Sequence, residues 1–123
     1  MKTTKKDFEI FKEECDKWIK FFGLTDWRIA YEWIDIETSN ANNTYDSQYK
    51  WSVITFSKNY DSFYSETNVK KTAFHEVCHL LVSGFEFLYS QEFRNESMLN
   101  RESESFCRIM ENSVFKQSHK KTA

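Results

Sequence analysis

The chain reads as an α+β protein on three observations: an amphipathic helical repeat opens it, period-two aromatic stretches follow, and two more helical patterns close it. Its 123 residues are the size of one domain. We take that domain as 1–123, with 1–6 and 117–123 expected to be flexible. Hydrophobic residues make up 40% and aromatics 18%, so large rings can fill a small core and wholesale disorder is excluded. With 17 basic and 19 acidic residues the net charge is -2, and no face is dominated by Lys or Arg. Nucleic acid is therefore not expected as a partner. The basic start, Met1 to Lys6, runs into Asp7 and an amphipathic pattern, so neither a signal peptide nor a membrane span is expected.

The first helix is expected from Thr4 or Asp7 to Gly23. Phe8, Phe11, Cys15, Trp18, Ile19 and Phe22 recur at helical spacing and make one apolar stripe for the core. Gly23 tolerates positive φ and supplies the stop, with Leu24 folding back on the last turn. Trp27, Ile29, Tyr31 and Trp33 then alternate with smaller or polar residues, which predicts a strand over 27–35. Residues 37–44, with Ser39-Asn40-Ala41-Asn42-Asn43, carry turn chemistry; 45–49 read as a short second strand and 51–56 as a third. Residues 57–65 form a loop whose Tyr60, Phe63 and Tyr64 either cover the core or line a groove.

The next helix is expected to start between Ser65 and Thr67, capped by a hydroxyl, and to end at Ser83 before Gly84. It carries His75-Glu76-Val77-Cys78-His79. Residues on a helix are offset by about 100°, so His75 and His79 share a face one turn apart and Glu76 sits beside them. Two histidines at that spacing make a zinc claw, and the adjacent carboxylate can act as a base. The helix is apolar over most of its girth, and buried polar groups are costly unless satisfied; a cation offers that compensation. Two hydrogen-bonded core histidines with a salt-bridged Glu would match the same pattern.

This segment resembles the active-site helix of the zincin metallopeptidases. The order of helix, strands, His75-Glu76-x-x-His79 helix and further helix is similar to their minimal catalytic core, with a twisted sheet of about three strands. More narrowly, Leu24-Thr25-Asp26-Trp27-Arg28-Ile29 with Thr72-Ala73-Phe74-His75-Glu76-Val77-Cys78 looks like small metallopeptidases encoded by phages and prophages. The resemblance implies Zn2+ with a third protein ligand. One zincin branch has a glycine three residues and a histidine six residues after the second His; here Val82 and Phe85 stand there, so that branch fails. The other takes a Glu from the following helix, expected over about 97–116. Phe106, Ile109, Met110 and Val114 form its apolar stripe, Glu104 lies roughly opposite, and Glu102 falls within it. Glu104 is the expected ligand and Glu102 the competitor.

The resemblance implies peptide-bond hydrolysis: zinc held by His75, His79 and Glu104 activates a water, and Glu76 takes its proton and passes it to the leaving amine. Tyr89, Arg94 and Arg108 are available as oxyanion donors. The alternative is a catalytically inactive zincin scaffold acting as a zinc-stabilised protein-binding module. Partners are a peptide or protein substrate, with no membrane and an oligomeric state the sequence leaves open. Cys15, Cys78 and Cys107 read as buried free thiols of a reducing compartment, hence a cytoplasmic location, the host's if phage-encoded. Cys78 or Cys107 is the sharper option of a metal ligand, and His119 is read as part of a disordered basic tail.

Overall fold

In a computed structural model, residues 1–92 and 96–119 are described, the side chains of 89–92 and 96 excepted. The first helix, α1, spans Lys5–Phe21. Thr4 caps it in a reciprocal box: the Asp7 N–H donates to Thr4 Oγ1 at 3.2 Å, and the Thr4 N–H to Asp7 Oδ2 at 2.8 Å. Gly23, at φ 71°, ends it, and the Leu24 N–H returns to the Ile19 carbonyl at 2.9 Å. The N-terminus departs from its expected flexibility. Met1 N donates to the Tyr60 carbonyl, Thr3 N to the Lys58 carbonyl, and Trp33 Nε1 to Thr3 Oγ1, which tie it to the sheet and the following loop.

Three strands follow, β1 (Arg28–Ile34), β2 (Ala41–Asp46) and β3 (Trp51–Ser57), in the order β1-β3-β2. β1 runs parallel and β2 antiparallel to the central β3. The second strand begins earlier than expected, because Ala41, Asn42 and Asn43, read as a turn, pair with Phe56, Thr55 and Ile54. Pairing with a β-branched, aromatic strand overrides the weak local preference of asparagine. Tyr45 and Asp46 continue it, and the turn falls at 47–50, with Lys50 at φ 54°.

α2 spans Glu66–Glu92, with its Asn68 N–H donating to Ser65 Oγ at 3.0 Å. It runs through Gly84 instead of stopping before it. Beyond that glycine, Glu86 is held by Ser103 and Tyr45, so tertiary bonds carry the helix past a residue that lowers its propensity. α3 spans Glu96–Met110; a π-helical turn, Glu111–Phe115, and a last turn, Lys116–Ser118, complete it.

The core lies between the sheet and the helices. Phe11 stacks on Phe56 at 4.6 Å, Trp18 meets Phe74 edge-on at 4.6 Å, and Phe74 packs on Phe115 at 5.3 Å. Each such ring contributes about 1.5–3 kcal/mol by burial. Tyr60 is buried and Tyr64 bonds Asp7, so these two loop aromatics cover the core, whereas Phe63 is exposed. Cys15, Cys78 and Cys107 are buried and free. His119 departs from the expected disorder, stacking on Phe115 at 4.1 Å; residues 120–123 of the basic tail lie outside the described residues. Among the described residues no helix is long and apolar enough to cross a membrane.

Candidate metal centre

α2 presents His75 and His79 on one face, one turn apart, with their Nε2 atoms 3.2 Å from each other. α3 packs alongside and brings Glu104 to both: Oε2 lies 3.2 Å from His75 Nε2 and Oε1 3.0 Å from His79 Nε2. Tetrahedral ligands at about 2.0–2.1 Å from a zinc ion lie about 3.3 Å from one another. The donor set therefore has the spacing a small divalent cation requires. Lone pairs gathered this closely repel unless a proton or a cation lies among them. Burial pulls the His75 imidazole down, but the Glu111 hydrogen bond and the charges of Glu76, Glu111 and Glu104 outweigh it and hold its pKa above the ordinary value. His79 is likewise depressed by burial and raised on balance, chiefly by Cys107 and Glu76.

The two remaining ring nitrogens are anchored. His75 Nδ1 lies 2.8 Å from Glu111 Oε2. A carboxylate accepting at that distance places a proton on Nδ1, which in the neutral imidazole leaves the lone pair on Nε2. His79 Nδ1 lies 3.2 Å from Ser103 Oγ, and that hydroxyl donates to Glu86 Oε1 at 2.7 Å. The π turn helps place Glu111. Its widened ring, with the Lys116 N–H on the Glu111 carbonyl, keeps Glu111 toward α2 while Phe115 still enters the core.

Cys107 is the other group near the pair. One donor atom each of His75, His79 and Cys107 lie within 4.8 Å of one another. The thiol is fully buried, and a hydrogen bond to Cys78 together with burial pushes its pKa well up, against an opposing bond to His79. Glu104, by contrast, lines the open cleft. Glu102, the competing carboxylate, is exposed. The cause is the face α3 buries. It packs through Ser103 and Cys107, with Phe106, Met110 and Val114 only partly covered and Ile109 61% exposed, so the expected stripe is rotated.

Glu76 is 6% exposed, and among the described residues no side chain hydrogen-bonds or ion-pairs with its carboxylate. Burial raises its pKa, His79 and His75 oppose that, and Glu104 and Glu111 add to it. The carboxylate lines both lobes of a cleft, of about 330 and 370 Å³, which share Ala41, His75 and Glu76. Exposed Phe63 stands in the wall of the first lobe. A larger cavity, about 1140 Å³, shares Asn68, Lys71 and Glu111 with that lobe but touches neither His75 nor His79.

Strand β2 forms the opposite rim, tied to α2 by Asn43 Nδ2 donating to the Glu76 carbonyl at 3.0 Å. The Ser57 N–H donates to the Asn40 carbonyl at 2.9 Å. Bonded pairs alternate in an antiparallel ladder, so Asn42, Thr44 and Asp46 face β3 while the main chain of Ala41, Asn43 and Tyr45 turns to the outer edge. Ser39 Oγ already bonds the Ala41 carbonyl there, at 3.0 Å.

Of the suggested oxyanion donors, Arg108 is exposed and lines neither lobe, Arg94 lies outside the described residues, and of Tyr89 only the backbone is described. Glu86, Ser103 and Glu111 went unread in the sequence. The signal was there for two: Glu86 stands seven residues after His79 and Glu111 seven after Glu104, which is two turns along one face. Comparisons with protein-family profiles, curated proteins and solved structures return no match to this chain.

Proposed function

We propose that the chain is a zinc-dependent hydrolase of peptide bonds, with His75, His79 and Glu104 holding the metal and Glu76 serving as general base. The observation that carries this reading is the triangle of two Nε2 atoms and one carboxylate, each 3.0–3.2 Å from the next, beside Glu76, which is 6% exposed and opens onto the same cleft. Zinc held by His75, His79 and Glu104 would supply Lewis acidity and a water activated near neutral pH. Glu76 would take that water's proton and pass it to the leaving amine, a role that needs a carboxylate open to the cleft and free of a permanent cation. Glu104 suits the third position better than Cys107, because a catalytic site keeps one position open and only the carboxylate faces the cleft.

The outer edge of β2 supports a peptide as substrate. An extended chain laid against Asn43 and Tyr45 would gain main-chain hydrogen bonds on the rim facing Glu76. The test is zinc content and cleavage of a peptide library by the wild type, Glu76→Gln and His79→Ala. The reading expects about one zinc per chain and cleavage in the wild type, zinc without cleavage in Glu76→Gln, and little zinc in His79→Ala. Absence of stoichiometric zinc in the wild type would overturn it. Zinc without cleavage by any variant would favour a zinc-stabilised binding module.

A further inference from the structure

We propose that Glu86 is a positioning residue for His79, acting through the Ser103 hydroxyl to fix which imidazole nitrogen carries the proton. Both Glu86 oxygens are spoken for: Ser103 Oγ donates to Oε1 at 2.7 Å and Tyr45 Oη to Oε2 at 2.6 Å. A hydroxyl has one proton. Once Ser103 spends it on Glu86, only a lone pair remains for His79 Nδ1, 3.2 Å away, so that nitrogen must be the donor. Nε2 is then left bare and aimed at His75 Nε2 and Glu104. The direction of donation runs from His79 through Ser103 to Glu86, and a carboxylate end sets it because it cannot donate back.

The chain crosses three elements. Glu86 lies seven residues beyond His79 on α2, Ser103 sits buried on α3, and Tyr45 is on the cleft strand β2. Tyr45 donates to the oxygen that Ser103 does not use, so it shares the carboxylate without standing in the path to His79. Without Glu86 the Ser103 rotor is free. It can then donate to Nδ1, which moves the ring proton to Nε2 and blocks the lone pair a metal would need. Cys107 is the competing influence, since its thiol lies within 4.8 Å of a donor atom of His79.

The metal-affinity part of this inference rests on the reading of a zinc site; the tautomer part does not. The test uses the full chain with Glu86→Ala, Ser103→Ala, both together, and Tyr45→Phe, with folding checked by circular dichroism. In metal-free protein at alkaline pH, 15N shifts of His79 report the tautomer: the wild type and Tyr45→Phe should show Nδ1–H, and Glu86→Ala a mixture. Zinc affinity, read by competition with a chromophoric chelator, should fall roughly 10- to 100-fold in Glu86→Ala and in Ser103→Ala. In the double variant it should fall no further, because Glu86 works only through Ser103. A wild-type-like tautomer in Glu86→Ala would overturn the proposal and assign the control to Cys107, as would additive losses in the double variant. If the wild type binds no zinc, the zinc reading fails, and the tautomer measurement still decides the relay.

Discussion

Glu111 offers the sharpest test of how the centre is supported, because its role can be graded. Its side chain is 12% exposed, and Oε2 sits 2.8 Å from His75 Nδ1. A hydrogen bond to a charged acceptor contributes about 1.5–3 kcal/mol. Converted at about 1.4 kcal/mol per tenfold, that is roughly a 10- to 100-fold change in metal affinity, the span measured for groups that orient metal-binding histidines. Glu111→Gln keeps an acceptor of the same shape and removes the charge, so it should fall near the tenfold end. Glu111→Leu removes the acceptor and should approach the hundredfold end. Lys71→Met is the control: its ammonium is 4.0 Å from Glu111 and 45% exposed, and such a pair is worth under about 1 kcal/mol. Zinc affinity by chelator competition, with thermal melts to confirm folding, reads all three. Equal affinity in the wild type and a folded Glu111→Leu would refute the argument, and so would a Lys71→Met effect as large as that of Glu111→Leu.

Three further outcomes follow from the structure. Glu104→Ala should lower zinc affinity far more than Glu102→Ala, which should match the wild type, since Glu102 is exposed and Glu104 meets both histidines; a dominant loss in Cys107→Ala instead would move the third ligand to the thiol. Gly84→Ala should stabilise the fold by about 0.5–1 kcal/mol in a denaturant titration, because Gly84 is mid-helix and an added Cβ meets nothing within 4 Å, whereas Gly23→Ala at φ 71° should destabilise it. Asp7→Asn should cost about 1 kcal/mol at neutral pH, from the weakened cap. Burial raises the Asp7 pKa, but the bonds from Tyr64 and Thr4 outweigh it and hold it below the usual carboxylate value. Stability from a lowered pKa is present above the unfolded value and lost as pH falls through the folded one. Melts of the two proteins should therefore differ in full above about pH 4, the unfolded value, and draw together only as pH falls below it through the lower folded value.

The helices and strands were legible wherever one local rule acted alone. Thr4, Asp7 and Gly23 bound α1 by capping chemistry that needs no partner. Alternation in 27–35 gave β1 within one residue at each end. Legibility failed where a neighbour decided. Asn42 and Asn43 carry turn propensity, yet β3 recruits them. Gly84 carries a stop signal, yet Glu86 is bonded on both sides and the helix continues. The face of α3 was misread for the same reason: apolar spacing pointed to Ile109, but the helix buries Ser103 and Cys107 against His79, and small side chains there allow the close approach that lets Glu104 reach both imidazoles.

His75, Glu76 and His79 are visible as a motif because one helix holds all three, and their spacing is fixed by helical geometry. The groups that orient them come from β2, the far end of α2, α3 and the π turn, so no local pattern announces them. They are still not arbitrary. A carboxylate two turns from a proposed ligand on the same helix face stays on that side chain's side whatever packs there, which is the relation of Glu86 to His79 and of Glu111 to Glu104. Each anchors a histidine through a different route, Glu111 directly and Glu86 through a hydroxyl. Direct anchoring carries charge to the ring; relayed anchoring carries chiefly direction. The two histidines should therefore differ in response: removing the Glu111 charge should weaken zinc binding with the His75 tautomer unchanged in a charge-neutral acceptor variant, while removing Glu86 should weaken it by scrambling the proton on His79.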